Sequence, residues 1–318
     1  MQHHGEGFSR DYNLPNAAAY CETCAAIGMA LWNHRLNLMH GDAVYADLVE
    51  RAMVNGILSG IDLGGEKFFY VNPLESGGGH HRQPFYGCAC CPTNVVRFVP
   101  SVPGYVYATD DRGIYVNLYV AGTGKVPLAG QTVTVSQQTT YPWQGDVKLT
   151  VTPQQPGEFD VNLRVPGWCQ AATLPVNNVL SSDDRPRAVL SVNGKRESKL
   201  DVHNGYARIR RQWKPGDVIT LDLPMEIQRI EAHPLVEADR GRVAIQRGPI
   251  VYCFEGVDNG GRARSIMLPH DPKLTAEHRS DLLGGVTVVT GVDRKGRKIT
   301  AVPYYAWDHR EPGEMIVW

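Results

Sequence analysis

Two runs of the sequence alternate strictly between apolar and polar side chains: Val147-Lys148-Leu149-Thr150-Val151-Thr152 and Phe159-Asp160-Val161-Asn162-Leu163-Arg164-Val165. Successive side chains of a strand point to opposite faces, so a period of two predicts strands that bury one face. The pattern starts after Gly104 and recurs on either side of the turns Asp110–Gly113 and Asn193-Gly194. Short strands at this spacing are typical of a β-sandwich, and further strands are predicted beyond residue 233.

The first hundred residues show helical spacing instead. Thr23 is a suitable N-cap for a helix over residues 24–40, which Gly41 ends, and Asp42 can cap a second helix over 43–58. Pro92 suits the first turn of a third helix over 93–102. Because the apolar faces of so few helices need partners to cover them, this region predicts part of a larger helical assembly.

The composition excludes several classes of protein. The 318 residues suffice for two or three domains, and 32 basic against 33 acidic residues give a net charge of −1. The basic excess expected of a nucleic-acid-binding protein is therefore missing. No run approaches the roughly 18–20 apolar residues that cross a bilayer, and Met1–Glu6 does not resemble a secretory leader. We expect a cytoplasmic protein without membrane or nucleic-acid partners.

Seven cysteines carry the first chemical information, and five of them lie before residue 92. Their odd number and the adjacent pair argue against a disulfide framework. Thiolates and a carboxylate, which tetrahedral zinc accepts as ligands, occur in two short clusters, Cys21-Glu22-Thr23-Cys24 and Cys88-Ala89-Cys90-Cys91. Cys21 and Cys24 would share a helix face, whereas a site with Glu22 requires that residue to precede the helix. The alternative is a set of reduced cysteines buried as small apolar side chains.

Residue types alone do not distinguish a structural zinc site, the commoner kind, from a catalytic one. Glu6 lies between two glycines, and His80, His81 and Arg82 precede the second cysteine cluster. A glutamate in a glycine loop is usually solvated, and a histidine pair usually lies on the surface.

Several strings together resemble glycoside hydrolase family 127, the β-L-arabinofuranosidase family. They are His4-Gly5-Glu6, Asp11-Tyr12-Asn13-Leu14-Pro15-Asn16, Tyr20 with Glu22-Thr23-Cys24, Asn72-Pro73-Leu74-Glu75, Cys88 to Pro92, Tyr304-Tyr305-Ala306-Trp307 and Pro312-Gly313-Glu314-Met315. The resemblance covers the whole chain and implies a multidomain α plus β protein. Residues 1–104 would be the C-terminal part of an (α/α)6 barrel, and 105–230 and 231–318 would be two β-sandwich domains. Members of the family carry most of the barrel before the matched region, so we expect the chain alone to have little activity.

The resemblance also implies a zinc-dependent retaining glycosidase that releases terminal β-L-arabinofuranose. The zinc ligands would be Glu22, Cys24, Cys90 and Cys91, with Cys21 and Cys88 outside the coordination sphere. Cys90 would be the nucleophile, which zinc keeps as a thiolate near neutral pH, and Glu6 would be the general acid/base of the two-step reaction. Glu50 and Tyr70 match positions that contact the sugar. Cys21 departs from the family, which usually has a small non-ligand residue there, and a third cysteine could compete for the metal.

The expected substrate is an arabinofuranosyl oligosaccharide or glycoconjugate, and a homodimer through the β domains is the expected assembly. Two alternatives stay open. One is a non-catalytic carbohydrate-binding or scaffold fragment with a structural zinc. The other is a related glycosidase of different sugar specificity, because a fold and a metal site do not determine the sugar. The first alternative is distinguished by whether Glu6 and Cys90 share one cleft.

Overall fold

The computed structural model describes residues 6–169 and 188–318; the His4-Gly5 of the motif quoted above lies outside them. The α-helices are α1 (Thr23–His40), α2 (Ala43–Arg51) and α3 (Cys90–Phe98). A π-helical segment, Ala52–Ile57, and a 3₁₀ turn, Leu58–Gly60, extend α2, and a 3₁₀ segment, Val99–Tyr105, extends α3.

The C-terminal end of α1 and the N-cap of α2 agree with the sequence, whereas the predicted N-cap Thr23 is wrong, because α1 begins at Thr23 and its N-cap residue is Glu22. Gly41 ends α1 in the left-handed conformation with φ of 61°, and its N–H donates to the carbonyl of Asn37. Asp42 caps α2, because its carboxylate accepts the N–H of Val44 at 2.9 Å. The predicted second helix keeps its α form only to Arg51, since the chain then adopts the wider π turn. The predicted extent of that helix was therefore wrong.

The third helix begins earlier than the sequence suggested. It starts at Cys90 rather than residue 93, so Cys90 and Cys91 lie in its first turn. Pro92 is tolerated there because the N–H groups of a first turn have no intrahelical partner in any case. The helix ends at Phe98, and the segment with Pro100 and Pro103 continues as a 3₁₀ helix. The earlier start places both thiols at a helix N-terminus.

The strands follow in chain order. They are β1 (Glu75–Ser76), β2 (Tyr107–Thr109), β3 (Gly113–Val116), β4 (Gly122–Leu128), β5 (Gln131–Thr139), β6 (Asp146–Pro153), β7 (Gly157–Arg164), β8 (Val189–Val192), β9 (Lys195–Arg196), β10 (Val202–His203), β11 (Tyr206–Trp213), β12 (Asp217–Asp222), β13 (Ile227–Ile230), β14 (Ala244–Arg247), β15 (Ile250–Glu255), β16 (Thr275–Arg279), β17 (Val286–Val292), β18 (Lys298–Pro303) and β19 (Met315–Ile316).

Residues 107–222 form two sheets around one core. One sheet has the order β10-β11-β7-β3-β2 and the other β4-β5-β6-β12-β8-β9. The pairing is antiparallel except between β3 and β7. Val161 and Leu163 of β7 and Val135 and Leu149 of the other sheet belong to the same buried apolar cluster. The run in β6 thus buries one face, as the sequence predicts. The run in β7 is instead buried on both faces, because its polar residues Asp160, Asn162 and Arg164 are buried as well.

The third sheet joins the C-terminal region to the helical region. Its order is β1-β19-β15-β18-β17-β16, and β14 pairs with both β13 and β15. Glu75 of β1 lies opposite Ile316 of β19, and Ser76 opposite Met315. A strand that follows the first helices is therefore completed by the last residues of the chain.

The predicted combination of helices with many strands is confirmed, whereas the partial barrel and the two sandwiches stay predictions. In the described ranges, no helix combines the length and hydropathy that a membrane span requires.

Candidate metal and catalytic site

Four side chains from two helix N-termini meet in the helical region. Glu22 is the N-cap residue of α1 and Cys24 lies in the first turn of that helix. Cys90 and Cys91 open α3. One ligand atom from each residue can be chosen so that all four lie within 4.8 Å of one another. We call these four residues the thiol cluster. Cys21 and Cys88 are exposed and do not belong to it.

Buried hydrogen bonds position the segment that carries Glu22 and Cys24. The Thr23 hydroxyl donates to the carbonyl of Phe69 at 2.8 Å. The Asn72 amide donates to the Thr23 hydroxyl at 2.9 Å and to the Cys21 carbonyl at 3.0 Å, and its oxygen accepts from Ser59 at 2.8 Å. Sequence reasoning missed Asn72, because none of its three partners lies near it in the sequence.

The distances within the thiol cluster are those of an open four-donor cage. The Sγ atoms of Cys24 and Cys91 are 3.4 Å apart, and those of Cys90 and Cys91 are 3.8 Å apart. The Glu22 Oε1 lies 3.8 Å from the Cys90 sulfur and 3.7 Å from that of Cys91. Glu22 and Cys91 are buried, whereas Cys24 and Cys90 are partly exposed.

Two neutral donors contact the sulfur atoms from outside the cluster. The Tyr70 hydroxyl lies 3.1 Å from the Cys90 sulfur and can donate to it once Cys90 is a thiolate, and the Asn94 amide donates to the Cys24 sulfur at 3.1 Å. The sequence analysis identified Tyr70 as a sugar contact and missed Asn94. The spacing of Asn94 could have identified it, because a residue that follows Cys90 by four positions and Cys91 by three lies on the same helix face.

The thiols differ in acidity. Burial raises the pKa of Cys24 to about 11 in spite of the Asn94 hydrogen bond. Burial is also the largest cause of the raised pKa of Cys91, and the hydrogen bond with Cys24 is the second. Burial acts in the same direction on Cys90, but the hydrogen bond from Tyr70 and the neighbouring thiols outweigh it and lower the pKa. The start of α3 also favours a negative charge there. Cys90 is the thiol of the cluster that these surroundings make most acidic.

The charge of Glu6 acts on Tyr20, a residue that the thiol cluster also influences. Burial, the charge of Glu22 and then that of Glu6 raise the pKa of Tyr20, and Cys91 and Cys90 act in the same direction. The Tyr20 hydroxyl is therefore within electrostatic reach of both Glu6 and the cluster. Its ring meets that of Tyr70 edge-on, with the ring centroids 6.4 Å apart. Glu6 is exposed and has a positive φ of 63°.

Glu50 lies in a different cluster, between α2 and the middle sheets. Arg164 donates to both carboxylate oxygens of Glu50, at 2.6 and 3.0 Å, and to Asp47 at 2.5 Å. The Tyr141 hydroxyl also donates to Glu50, at 2.8 Å. Arg164 is 0% exposed and Glu50 only 3%. We call Arg164, Asp47, Glu50 and Tyr141 the junction cluster. The structure does not bring Glu50 to the thiol cluster, so its predicted contact with the sugar stays a prediction.

The His80–Arg82 segment contacts the C-terminal region. The His80 ring stacks on Phe69 with centroids 4.9 Å apart, and His81 Nδ1 lies 2.6 Å from the Asp308 carboxylate. The buried Arg82 guanidinium donates to the carbonyls of Ser59, Tyr305 and Trp307. These side chains connect domains and contribute no atom to the thiol cluster.

Comparison with known proteins identifies the chain. The β-L-arabinofuranosidase GH127 catalytic domain matches residues 1–104, the GH127 middle domain matches 113–225, and the GH127 C-terminal domain matches 227–318. These matches place the chain among the glycoside hydrolases. Within that class, it belongs to family 127, and the resemblance seen in the sequence is confirmed.

The relatives are longer proteins. The non-reducing end β-L-arabinofuranosidase of Bifidobacterium longum subsp. longum is 32% identical over 357 residues, covering 99% of this chain and 51% of that protein. A solved GH127 β-arabinofuranosidase is 44% identical with a TM-score of 0.95, covering 100% of this chain and 52% of the other. The GH127 β-L-arabinofuranosidase of Geobacillus stearothermophilus T6 is 41% identical with a TM-score of 0.89, covering 100% and 53%. This chain spans about half the length of these relatives.

Proposed function

We propose that the chain is part of a zinc-dependent retaining glycosidase that releases terminal β-L-arabinofuranose, with Cys90 as nucleophile and Glu6 as general acid/base. The convergence of Glu22, Cys24, Cys90 and Cys91 within 4.8 Å carries this proposal. The names of the relatives supply the sugar. In this proposal residues 1–104 belong to a helical barrel, and residues 105–230 and 231–318 are β-sandwich domains.

The donor set fits zinc. Three sulfurs and one carboxylate oxygen are ligands that zinc prefers, and a tetrahedron with Zn–S bonds of about 2.3 Å has sulfur–sulfur edges of about 3.8 Å. The observed sulfur–sulfur distances of 3.4 and 3.8 Å are close to that edge. Glu22, Cys24, Cys90 and Cys91 would hold the ion. When bound, zinc withdraws charge from the thiolates and keeps Cys90 deprotonated near neutral pH.

The partial exposure of Cys90 favours a catalytic site over an enclosed structural one. A nucleophile must reach the anomeric carbon, whereas a purely structural zinc is closed on all sides. Tyr70 holds the Cys90 sulfur from one side through its hydroxyl and is therefore suited to orient it. The charge of Glu6 contributes to the raised pKa of Tyr20, as the charges of Glu22, Cys91 and Cys90 do, and this supports an acid/base near the thiol cluster.

The reaction of these residues would have two steps. The Cys90 thiolate attacks the anomeric carbon, the bond to the leaving oxygen breaks, and protonated Glu6 gives its proton to that oxygen. Ionised Glu6 then removes a proton from a water molecule, which attacks the same carbon and releases Cys90 as thiolate. Two displacements at one carbon retain its configuration.

The test compares Glu6→Gln and Cys90→Ser in the zinc-loaded full-length protein. Cys90→Ser should abolish turnover, because a serine alkoxide is far harder to generate than a thiolate. Glu6→Gln should slow cleavage of a sugar–sugar bond by roughly 10²–10⁴-fold but preserve glycosylation by a nitrophenyl arabinofuranoside, whose leaving group needs little protonation. Intact mass should then show an arabinosyl adduct on Cys90.

Cys21→Ser is the matched control, because Cys21 is an exposed thiol close in sequence but outside the thiol cluster. It should keep full activity. Equal losses on both substrates without an adduct would remove Glu6 from the acid/base role, and turnover by Cys90→Ser would remove the nucleophile. The contact of Glu50 with the sugar, the choice of glycan and dimerisation through the β domains stay predictions.

A further inference from the structure

A pocket of about 560 Å³ in the C-terminal region concentrates arginine side chains. Its lining includes Arg229, Arg242, Arg264 and Arg294, against a single acidic side chain, that of Glu75. We call it the arginine pocket. It shares no residue with the thiol cluster or with the junction cluster.

The one acidic side chain of the lining is already neutralised. The Glu75 oxygens lie 2.7 Å from the Arg264 guanidinium and 3.3 Å from that of Arg242. Glu75 therefore holds these two arginines in place rather than presenting a free negative charge. Arg229 pairs with Glu231 at 2.8 Å, and Glu231 is not part of the lining.

Arg294 has no such partner. Its backbone N–H donates to the carbonyl of Met267, whereas its exposed guanidinium makes no ion pair within the part of the chain that the structure describes. The pocket therefore has more positive than negative charge. Guanidinium groups bind carboxylates and phosphates through paired N–H donors.

Most of the other lining residues are apolar, although His270 also belongs to the lining. The apolar residues include Phe254, Met267, Leu268, Ile316 and Trp318. A pocket of this volume is in the range that holds a small organic ligand and is far larger than an inorganic oxyanion requires. Apolar and aromatic walls would contact the C–H faces of a ring, while the arginines would hold an anionic substituent.

We propose that the arginine pocket binds an anionic sugar, with a uronate carboxylate on Arg294 and Arg264 and the sugar ring against the apolar lining. The site is a binding site separate from the proposed hydrolysis, and neither Cys90 nor Glu6 takes part in it. Its existence does not depend on the glycosidase proposal.

The experiment measures binding of D-galacturonate, D-galactose and inorganic phosphate to the full chain by ligand-observed NMR and calorimetry. Galacturonate and galactose differ only in the carboxylate, and phosphate offers the charge without a ring. We expect galacturonate to bind, with galactose and phosphate each weaker by roughly tenfold or more. Raising the salt concentration should weaken the binding of galacturonate.

Arg294→Gln and Arg264→Gln should each weaken galacturonate binding by roughly fivefold or more. Arg294→Gln is the cleaner variant, because it removes no described ion pair. Arg112→Gln removes the same charge from an exposed turn of the middle sheets and should change affinity by less than about twofold. The proposal is overturned by any of four results: no binding of galacturonate, equal binding of galactose, tighter binding of phosphate, or an unchanged affinity in a folded Arg294→Gln variant.

Discussion

The thiol cluster and the junction cluster both gather polar side chains from distant parts of the chain, but they balance charge in opposite ways. In the junction cluster, Arg164 lies between Asp47 and Glu50 and pairs with both carboxylates. In the thiol cluster, Tyr70 and Asn94 are the neutral donors, and no arginine, lysine or histidine of the described ranges hydrogen-bonds to a sulfur or to Glu22. The first cluster contains its own cation, whereas the second contains none among the described residues.

This difference predicts that removing one residue affects the two clusters differently: zinc affinity falls in the thiol cluster, and the stability of the fold falls in the junction cluster. Cys24→Ala should reduce zinc affinity by more than the roughly 10–100-fold that loss of an outer contact costs, because it removes a direct ligand. Cys21→Ala is the matched control, since Cys21 is an exposed thiol outside the cluster, and it should keep one zinc per chain. Metal analysis after dialysis measures both. Zinc lost from Cys21→Ala and kept by Cys24→Ala would reverse the ligand assignment.

For the junction cluster, removing its cation should destabilise the fold itself. Arg164→Met leaves two buried carboxylates without their partner, and we expect a loss of about 3–5 kcal/mol in the free energy of unfolding. Arg208→Met breaks the exposed pair with Asp201 and should cost about 0–1 kcal/mol. Denaturant titration measures both variants. Similar losses in the two would show that the buried cluster is not a special source of stability.

The junction cluster should also make stability depend on pH. Burial, which outweighs the attraction of Arg164, raises the pKa of Asp47 to about 6. Because this lies above the unfolded value of about 3.9, protonated Asp47 favours the folded state. That contribution is complete below about pH 4 and is lost as the pH rises through about 6.

Asp47→Asn, which cannot titrate, should therefore gain stability relative to the wild-type protein as the pH rises from 4 to 7, by on the order of 2 kcal/mol. Paired denaturation curves at several pH values measure this difference. A difference that stays constant over the range would contradict the raised pKa.

The smallest effect is expected in the neutral network beside the junction cluster. The Tyr206 hydroxyl donates to Asn117 at 2.6 Å and accepts from Asn37 at 2.8 Å. Tyr206→Phe leaves both amides without this partner and should cost about 1–2 kcal/mol. The loss of stability in Tyr206→Phe should not vary between pH 4 and 7, whereas the stability of Asp47→Asn relative to the wild type should. A pH-dependent loss would mean that the two networks are coupled.

Some features of the fold could be predicted from the sequence and others could not. Strand periodicity, the cap at Asp42 and the stop at Gly41 depend on neighbours along the chain, and they were predicted. The start of α3 at Cys90 was not, because a proline in a first turn is compatible with more than one starting residue. The bounds of the helix therefore depend on packing that the local sequence does not contain.

Within the site, the four residues of the thiol cluster were predicted from the family motif rather than from spacing. Chemistry alone left Cys21 and Glu22 as alternatives. The partner of Glu50 could not be predicted from the sequence. Arg164 lies more than a hundred residues further along the chain, and only the fold brings the two together. Whether a glutamate faces a ligand or a buried arginine is decided by such distant neighbours.

The pairing of β1 with β19 has a consequence for the order in which the protein is assembled. The backbone of Glu75 and Ser76 finds its partner strand only in Met315 and Ile316. During synthesis, domains generally fold as they emerge, the N-terminal one first. Here the segment between the two cysteine motifs must wait until residues 315 and 316 have been synthesised. At this point the helical region thus matures after the sheets that follow it in the chain, and ribosome-bound chains stalled before Met315 should expose this segment to protease.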